Sequence, residues 1–258
     1  MTLAPGVELE FSREGSGPAL VLVHGYLGGS RMWSETSNYF AARYDVIAPD
    51  LAGFGNSAHL ESFDRIEHHA EQVLAHLDRL GIKQFRLIGH SMGGMIAQHM
   101  AASVGERIDK MVLYGTGPYG HTRTRFETAD VTRQRLLTEG VAATARHIAA
   151  TWFVAGKEAS AYEVCVDIGS RASLQGAIAG THAFARWDAH AVLPTLTMPT
   201  LIVWGEKDRS IGWDQCEMLW RGIPRSSLAV CPGCAHNVHF EKPDLFKLLV
   251  ADFLDSPA

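Results

Sequence analysis

An α/β fold with a mostly parallel sheet and helices on both faces is what this 258-residue sequence predicts, and three observations predict it. Short apolar, β-prone runs recur between stretches of helical periodicity, the alternation that builds a parallel sheet. One such run, Phe85-Arg86-Leu87-Ile88, passes straight into the helical run Gly94–Met100 across a serine flanked by glycines. The alternation lapses only from about Tyr119 to Leu193, where an Ala-rich helical pattern without clear strands intervenes and strand spacing resumes at Pro199.

Taken in order, strands are expected near Val7–Phe11, Ala19–His24, Asp45–Pro49, Phe85–Gly89, Lys110–Tyr114, Thr200–Trp204 and Ser227–Cys231. Phe63–Leu80 carries Ile66, Ala70, Val73, Leu74, Leu77 and Leu80 at near-helical spacing and is read as a helix. Its histidines, His68, His69 and His76, fall mainly among charged neighbours and are assigned to a solvated face. The last helix begins around Pro243 and is expected to turn Leu245, Leu248, Leu249 and Phe253 inward. The organisation is therefore a core of residues 1–117 and 194–258, with a helical segment, 118–193, inserted in it.

Composition narrows the function classes. At 47% hydrophobic content the chain can bury one substantial core plus the insertion without disulfides. A net charge of −5 with no lysine/arginine block gives no electrostatic support to a nucleic-acid or membrane-surface role. There is no 18-residue apolar run and no charged-then-apolar N-terminal pattern, so a cytoplasmic location is expected. Cys231-Pro232-Gly233-Cys234, with His236 and His239, can be written as a zinc set or a redox pair. The segment also fits a final strand and turn, with Pro-Gly making the bend, and that reading leaves His236 free to act as a base. Cys165 and Cys216 read as ordinary buried or half-buried thiols.

Gly89-His90-Ser91-Met92-Gly93 carries the chemistry. A strand that becomes a helix within two or three residues forces the turning residue into a strained conformation, and the flanking glycines remove the Cβ atoms that would clash. Ser91 is thereby presented with a free hydroxyl and a helix N-terminus behind it. Acyl transfer also needs two N–H groups aimed at the developing oxyanion. The residue after the nucleophile, Met92, supplies one; in Val21-Leu22-Val23-His24-Gly25-Tyr26, the Tyr26 N–H is the natural second, ahead of Leu27. His24 is read as holding that loop by hydrogen bonds.

A general-base histidine needs a carboxylate to fix its tautomer. Asp208 stands just beyond the strand Thr200–Trp204, with Glu206 and Asp214 as competitors and an N-cap role as its bland alternative. His236, delivered by the turn after Leu228–Cys231, is the candidate base; His239 is the rival and is assigned a structural role.

These stretches, with Pro49-Asp50-Leu51-Ala52-Gly53-Phe54-Gly55-Asn56-Ser57 and the His236, His239, Glu241, Pro243 series, resemble the α/β-hydrolase superfamily over nearly the whole chain. The closest subset is the small cap-bearing group of serine esterases, enol-lactonases, cofactor-free haloperoxidase-type proteins and ring-cleavage-product hydrolases. The order Ser91, Asp208, His236 is that of the superfamily's catalytic triad. The resemblance implies an α/β-hydrolase fold, with 118–193 as a helical cap over the serine. Phe126, Trp152, Phe153, Phe184 and Trp187 could line the underside of the cap or pack its own small core; Leu27 and Asn237 complete the candidate substrate-contacting set. No dedicated carboxylate clamp can be read out, with Arg186 beside Trp187 as a candidate. Ser91 stands where dehalogenases and epoxide hydrolases carry Asp, which disfavours those activities. His90 and Asn237 depart from the pattern of carbon–carbon bond hydrolases, and Ala235 stands where Gly often precedes the histidine.

The expected function is hydrolysis of a carboxylic ester or lactone of a small organic substrate through an acyl-enzyme, with no metal or organic cofactor. The alternatives are carbon–carbon bond hydrolysis of a vinylogous diketone from aromatic catabolism and a ligand-sensing receptor on the same fold. The partner is a small-molecule ester, lactone or diketone, with no nucleic acid and no membrane. Assembly into a homo-oligomer stays open.

Overall fold

The structure, a computed structural model, describes residues 8–120 and 125–257. Seven strands, β1 Phe11–Gly15, β2 Ala19–Val23, β3 Asp45–Pro49, β4 Phe85–His90, β5 Ile108–Tyr114, β6 Thr200–Gly205 and β7 Ser226–Cys231, form one sheet ordered β1-β3-β2-β4-β5-β6-β7. Only β1 runs antiparallel to its neighbour. The helices are α1 Ser34–Phe40, α2 Ile66–Arg79, α3 Met92–Val104, α4 Ala129–Ala149, α5 Tyr162–Ser170, α6 Leu174–Ala185, α7 Trp213–Gly222, α8 Val238–Glu241 and α9 Pro243–Asp255.

The central strands are apolar at nearly every position because both faces of the sheet are covered. Alternate side chains divide between two cores. Val21, Val23, Leu87, Met111 and Leu113 join Ile66, Val73 and Leu77 of α2 and Ile96 and Met100 of α3. Leu20, Leu22, Ile88, Val112 and Tyr114 join Phe40 of α1 and Phe246, Val250 and Leu254 of α9. Phe246 is fully buried against Tyr114, with ring centroids 4.9 Å apart. Phe246→Ala is therefore expected to cost about 3–5 kcal/mol, read as a lower urea midpoint with an unchanged slope.

The structure corrects three expectations from sequence. The first strand is displaced: Val7 lies outside the described residues, and the ladder with β3 runs from Phe11↔Pro49 to Gly15↔Asp45. An edge strand pairs through its backbone and needs no apolar side chains, so Ser12, Arg13 and Glu14 serve, and Arg13 clasps Asp45 at 2.7 and 2.8 Å. In α9 the buried stripe is Phe246, Val250, Ala251 and Leu254, while Leu248 is 64% exposed. Leu245, Leu249 and Phe253 pack partly buried against the same core, so of the four expected inward residues only Leu248 faces out. His69 and His76 are buried, not solvated. They fall three residues after Ile66 and Val73, on the same face of α2, so helical phase overrides the polarity of their sequence neighbours.

The segment between β5 and β6 carries α4, α5 and α6, with α4 kinked at Gly140 (φ 83°). Its ends are pinned together by a Tyr119↔Asp188 bridge and by hydrogen bonds Gly120 N–H to Trp187 O (2.9 Å) and Ala189 N–H to Pro118 O (2.7 Å). The insertion is thus closed at its neck and sits on the carboxyl ends of the strands. There the chain leaves β2 and β4 side by side, the crevice position of open α/β sheets.

Candidate active site

Ser91 occupies the single residue between β4 and α3, at φ 55° and ψ −120°. Among the described residues only Leu27 shares a positive φ without being glycine. Such a conformation costs on the order of 1–3 kcal/mol and persists where surrounding bonds enforce it. Here Ser91 N–H donates to Tyr114 O at 2.9 Å, and Ser91 O accepts from Gly94 N–H at 2.9 Å and Thr116 Oγ1 at 2.7 Å. The glycines are required by close approach: a Cβ on Gly93 would lie 2.2 Å from Val23 O, and one on Gly89 2.4 Å from Gly93 O. Ala235, by contrast, needs no left-handed backbone, so its Cβ does not strain the turn before His236.

The loop after β2 lies against this serine, where a Cβ on Gly25 would come within 2.8 Å of Ser91 Cβ. His24 organises the loop. Its Nε2 accepts the Leu51 N–H at 2.9 Å, so Nδ1 carries the proton and donates to Gly25 O at 2.8 Å. Full burial pushes its pKa down and keeps the ring neutral. The N–H groups of Tyr26 and Met92 are met by no acceptor among the described residues. Tyr26 also reaches over the cleft, donating its hydroxyl to Ala177 O of α6 at 2.9 Å.

Asp208 follows β6 on a turn. Its Oδ1 accepts the Ser210 and Ile211 N–H groups at 2.7 and 3.1 Å, and its Oδ2 lies 2.8 Å from His236 Nδ1. Both side chains are buried. Glu206 faces outward to Gly233 N–H (3.0 Å) and Lys207, and Asp214 accepts the Tyr119 hydroxyl at 2.8 Å. His236 is carried by the loop after β7, where its carbonyl accepts the Tyr114 hydroxyl at 2.9 Å. Glu241 ties the same loop to the insertion, accepting Ala235 N–H at 2.6 Å and Val154 N–H at 2.7 Å. Asn237 N–H adds a bond to Trp152 O at 3.1 Å.

His239 is packed on Trp33 and Phe246 and lies 3.0 Å through Nδ1 from the Tyr114 hydroxyl; burial pushes its pKa down to about 3. His90, stacked on Tyr114 at 4.5 Å, is likewise pushed well down by burial. His69 is lowered to about 4 by the same cause. These folded pKa values lie below that of a free imidazole, so as pH falls past about 6.5 the unfolded chain takes up protons that the native state refuses. Stability is fully present above that pH. It is expected to fall by up to about 1.4 kcal/mol per pH unit for each such histidine, down to about pH 4 for His69 and about pH 3 for His239. Urea midpoints taken from pH 7 to 4 check this, and replacing His69 with Gln should flatten part of the slope.

A cleft opens between core and insertion. Ser91, Met92, Tyr26, His236 and Trp152 line it, as do Phe126 and Phe184. Four expected substrate contacts stand outside that lining. Leu27 is fully buried beneath the loop, against Gly169 of α5. Phe153 faces Phe240, with centroids 6.4 Å apart, Trp187 packs on His99, and Asn237 turns its amide to Cys165 Sγ at 3.6 Å. Each of the four is buried in packing against a neighbouring element rather than turned to the cleft. Arg186 pairs with Asp64 on the surface. Arg125, Tyr119, Met95, Ile148, Ser210, Ile211 and Gln215 also line the cleft and were not named from sequence. Met95 was within reach of helical spacing from Ser91, and Ser210 and Ile211 of adjacency to Asp208; Arg125 had no local signal.

Cys231 and Cys234 are free, buried thiols, and burial raises Cys231 to about 11. Among the described residues no group of three or more His, Cys, Asp or Glu is placed to hold a metal, and no helix is long and apolar enough to cross a membrane.

The family profile for the alpha/beta hydrolase fold matches residues 18–147. The chain is 30% identical to a 2-hydroxy-6-oxononadienedioate/2-hydroxy-6-oxononatrienedioate hydrolase of a Pseudomonas species, over 91% of this chain and 87% of that protein. It is 26% identical to the pimeloyl-[acyl-carrier protein] methyl ester esterase of Vibrio vulnificus, over 93% of this chain and 95% of that one. Among solved structures, a thermophilic esterase from Thermogutta terrifontis superposes with a TM-score of 0.88 at 27% identity, covering 98% of this chain and 95% of its own.

Proposed function

The chain belongs to the α/β-hydrolase fold family and is a hydrolase, and on that premise we propose that it cleaves a carboxylic ester or lactone of a small organic substrate through an acyl-enzyme on Ser91. The observation that carries the reading is the convergence of Ser91 and His236 on one cleft, with Asp208 2.8 Å behind the imidazole. Asp208 is an acceptor, so His236 Nδ1 holds the proton and Nε2 presents a lone pair. Nε2 takes the Ser91 proton as Oγ attacks the carbonyl carbon. The oxyanion rests on the Tyr26 and Met92 N–H groups, neither of which meets an acceptor among the described residues. His236 then protonates the leaving alcohol, and water repeats the sequence to release the acid. Residues 118–193 act as a cap that excludes water and sizes the substrate. The similarity to named esterases supports the ester reading. Four buried, unbridged cysteines fit a reducing, cytoplasmic setting.

The test is reaction with a fluorophosphonate, followed by mass mapping. One adduct per chain on the Ser91 peptide is expected, with parallel loss of p-nitrophenyl butyrate hydrolysis; labelling elsewhere with activity retained would refute the assignment. The similarity to the Pseudomonas hydrolase favours a second reading, carbon–carbon bond hydrolysis of a vinylogous diketone by the same residues. Turnover of ring-fission dienoates with simple esters inert would favour it.

A further inference from the structure

Arg125 lines the same cleft as Ser91 and His236. Its guanidinium lies 4.5 Å from the centroid of Phe184 and 5.1 Å from that of Phe126, so aromatic faces replace much of its water. Among the described residues no carboxylate is at ion-pairing distance from it. The adjacent acid, Glu127, is already engaged by Arg135 at 3.1 Å, His147 at 3.2 Å and the Thr132 hydroxyl at 2.7 Å. A half-buried cation flanked by aromatic rings, with no counter-ion among the described residues, carries a desolvation cost, and a guanidinium cannot escape it by losing its proton.

A second, independent observation points to the same place. Both amide atoms of Gln215, which is completely buried, and the hydroxyl of Ser210 lack hydrogen-bond partners among the described residues, and both residues line the cleft. Phe126 N–H donates to Arg209 O at 2.9 Å, which holds the segment carrying Arg125 beside the segment carrying Ser210. Gln215 follows in the first turn of α7. The Gln215 NH₂ and the Ser210 hydroxyl are thus free donors in the cleft that Arg125 also lines, and a group rich in acceptors could engage all three.

We propose that the substrate cleaved at Ser91 carries a carboxylate, received by the Arg125 guanidinium with Ser210 and Gln215 as accompanying hydrogen-bond donors. The inference rests on the ester-hydrolase reading and adds the substrate's charge to it. A carboxylate accepts through two coplanar oxygens, which matches the guanidinium fork. Its single charge neutralises the single cation. A phosphate dianion would leave excess negative charge among Met95, Ile148, Ile211 and Phe184, which also line the cleft. An uncharged hydroxyl or ketone would satisfy Ser210 or Gln215 and leave Arg125 unpaired.

The test compares kcat/KM for matched charged and neutral esters, with the charge on the acyl side (mono-p-nitrophenyl adipate against p-nitrophenyl hexanoate) and on the alcohol side (carboxyphenyl acetate against phenyl acetate). Wild type is expected to prefer the charged member of at least one pair. In Arg125→Gln that charged-to-neutral ratio should fall about 10- to 100-fold, the scale of a charge-assisted hydrogen bond. No preference in either pair, or a ratio unchanged while both rates fall together, overturns the proposal and leaves the serine-hydrolase reading standing. Ser91-independent or absent turnover of every ester fails that underlying reading instead. If Arg125→Gln is inactive throughout, inhibition of wild-type hexanoate hydrolysis decides: glutarate inhibiting at least tenfold more tightly than glutaramide supports the carboxylate site, and equal inhibition overturns it.

Discussion

Replacing Ser91 with alanine is expected to lower kcat on p-nitrophenyl butyrate by about 10⁵- to 10⁶-fold, with KM changed far less. In the proposed mechanism the hydroxyl becomes the acyl-enzyme, so its loss would remove the two-step route altogether. What remains is catalysis by the oxyanion donors and by binding, which triad enzymes retain at about 10³- to 10⁴-fold over water. The strained backbone at φ 55° is held by Tyr114 O, Gly94 N–H and Thr116 Oγ1 and not by the Ser91 side chain, so the variant should fold normally. Near-wild-type thermal unfolding with abolished turnover and no fluorophosphonate adduct is the expected set of results. Substantial turnover by a folded Ser91→Ala would place the chemistry elsewhere in the cleft.

The sequence made the core legible because local and tertiary demands agree there. Ala19–Val23 and Thr200–Gly205 are apolar throughout and become strands buried on both faces. The glycines around Ser91 mark a turn that no other residue type could enter, as the 2.2 Å approach to Val23 O makes plain. Asp208 and His236 were readable because each follows directly on a strand end. Where the sequence misled, a tertiary choice had to be made between locally equivalent options. In α9 Leu248 faces out while Leu245, Leu249 and Phe253 pack partly buried, and helical phase drew His69 and His76 inward.

The insertion is the extreme of that problem. Its aromatic residues at 152, 153, 184 and 187 look alike in sequence, yet only Trp152 and Phe184 line the cleft. Arg125 reaches the cleft because its neighbour's Phe126 N–H is fastened to Arg209 O, 83 residues on by the numbering, a contact with no local trace.

Asp208→Asn is expected to lower kcat by about 10⁴-fold, roughly 5.4 kcal/mol of transition-state stabilisation, while leaving the geometry nearly intact. The argument is one of tautomers. Asp208 Oδ2 only accepts, which leaves the His236 Nδ1 proton in place and Nε2 basic. Oδ1 is already committed to the Ser210 and Ile211 N–H groups, so an asparagine keeps its carbonyl oxygen there and turns its NH₂ toward His236. Nδ1 must then accept, the proton moves to Nε2, and the ring can no longer take the Ser91 proton. The developing imidazolium also loses its buried counter-charge. Glu206→Gln is the matched comparison, since Glu206 accepts from the Gly233 N–H and Lys207 at the surface, and less than about a threefold change is expected there. The two competing acids differ in sequence by two positions but in the structure by which of them the imidazole can touch. A large loss in Glu206→Gln with Asp208→Asn nearly active would reverse the assignment.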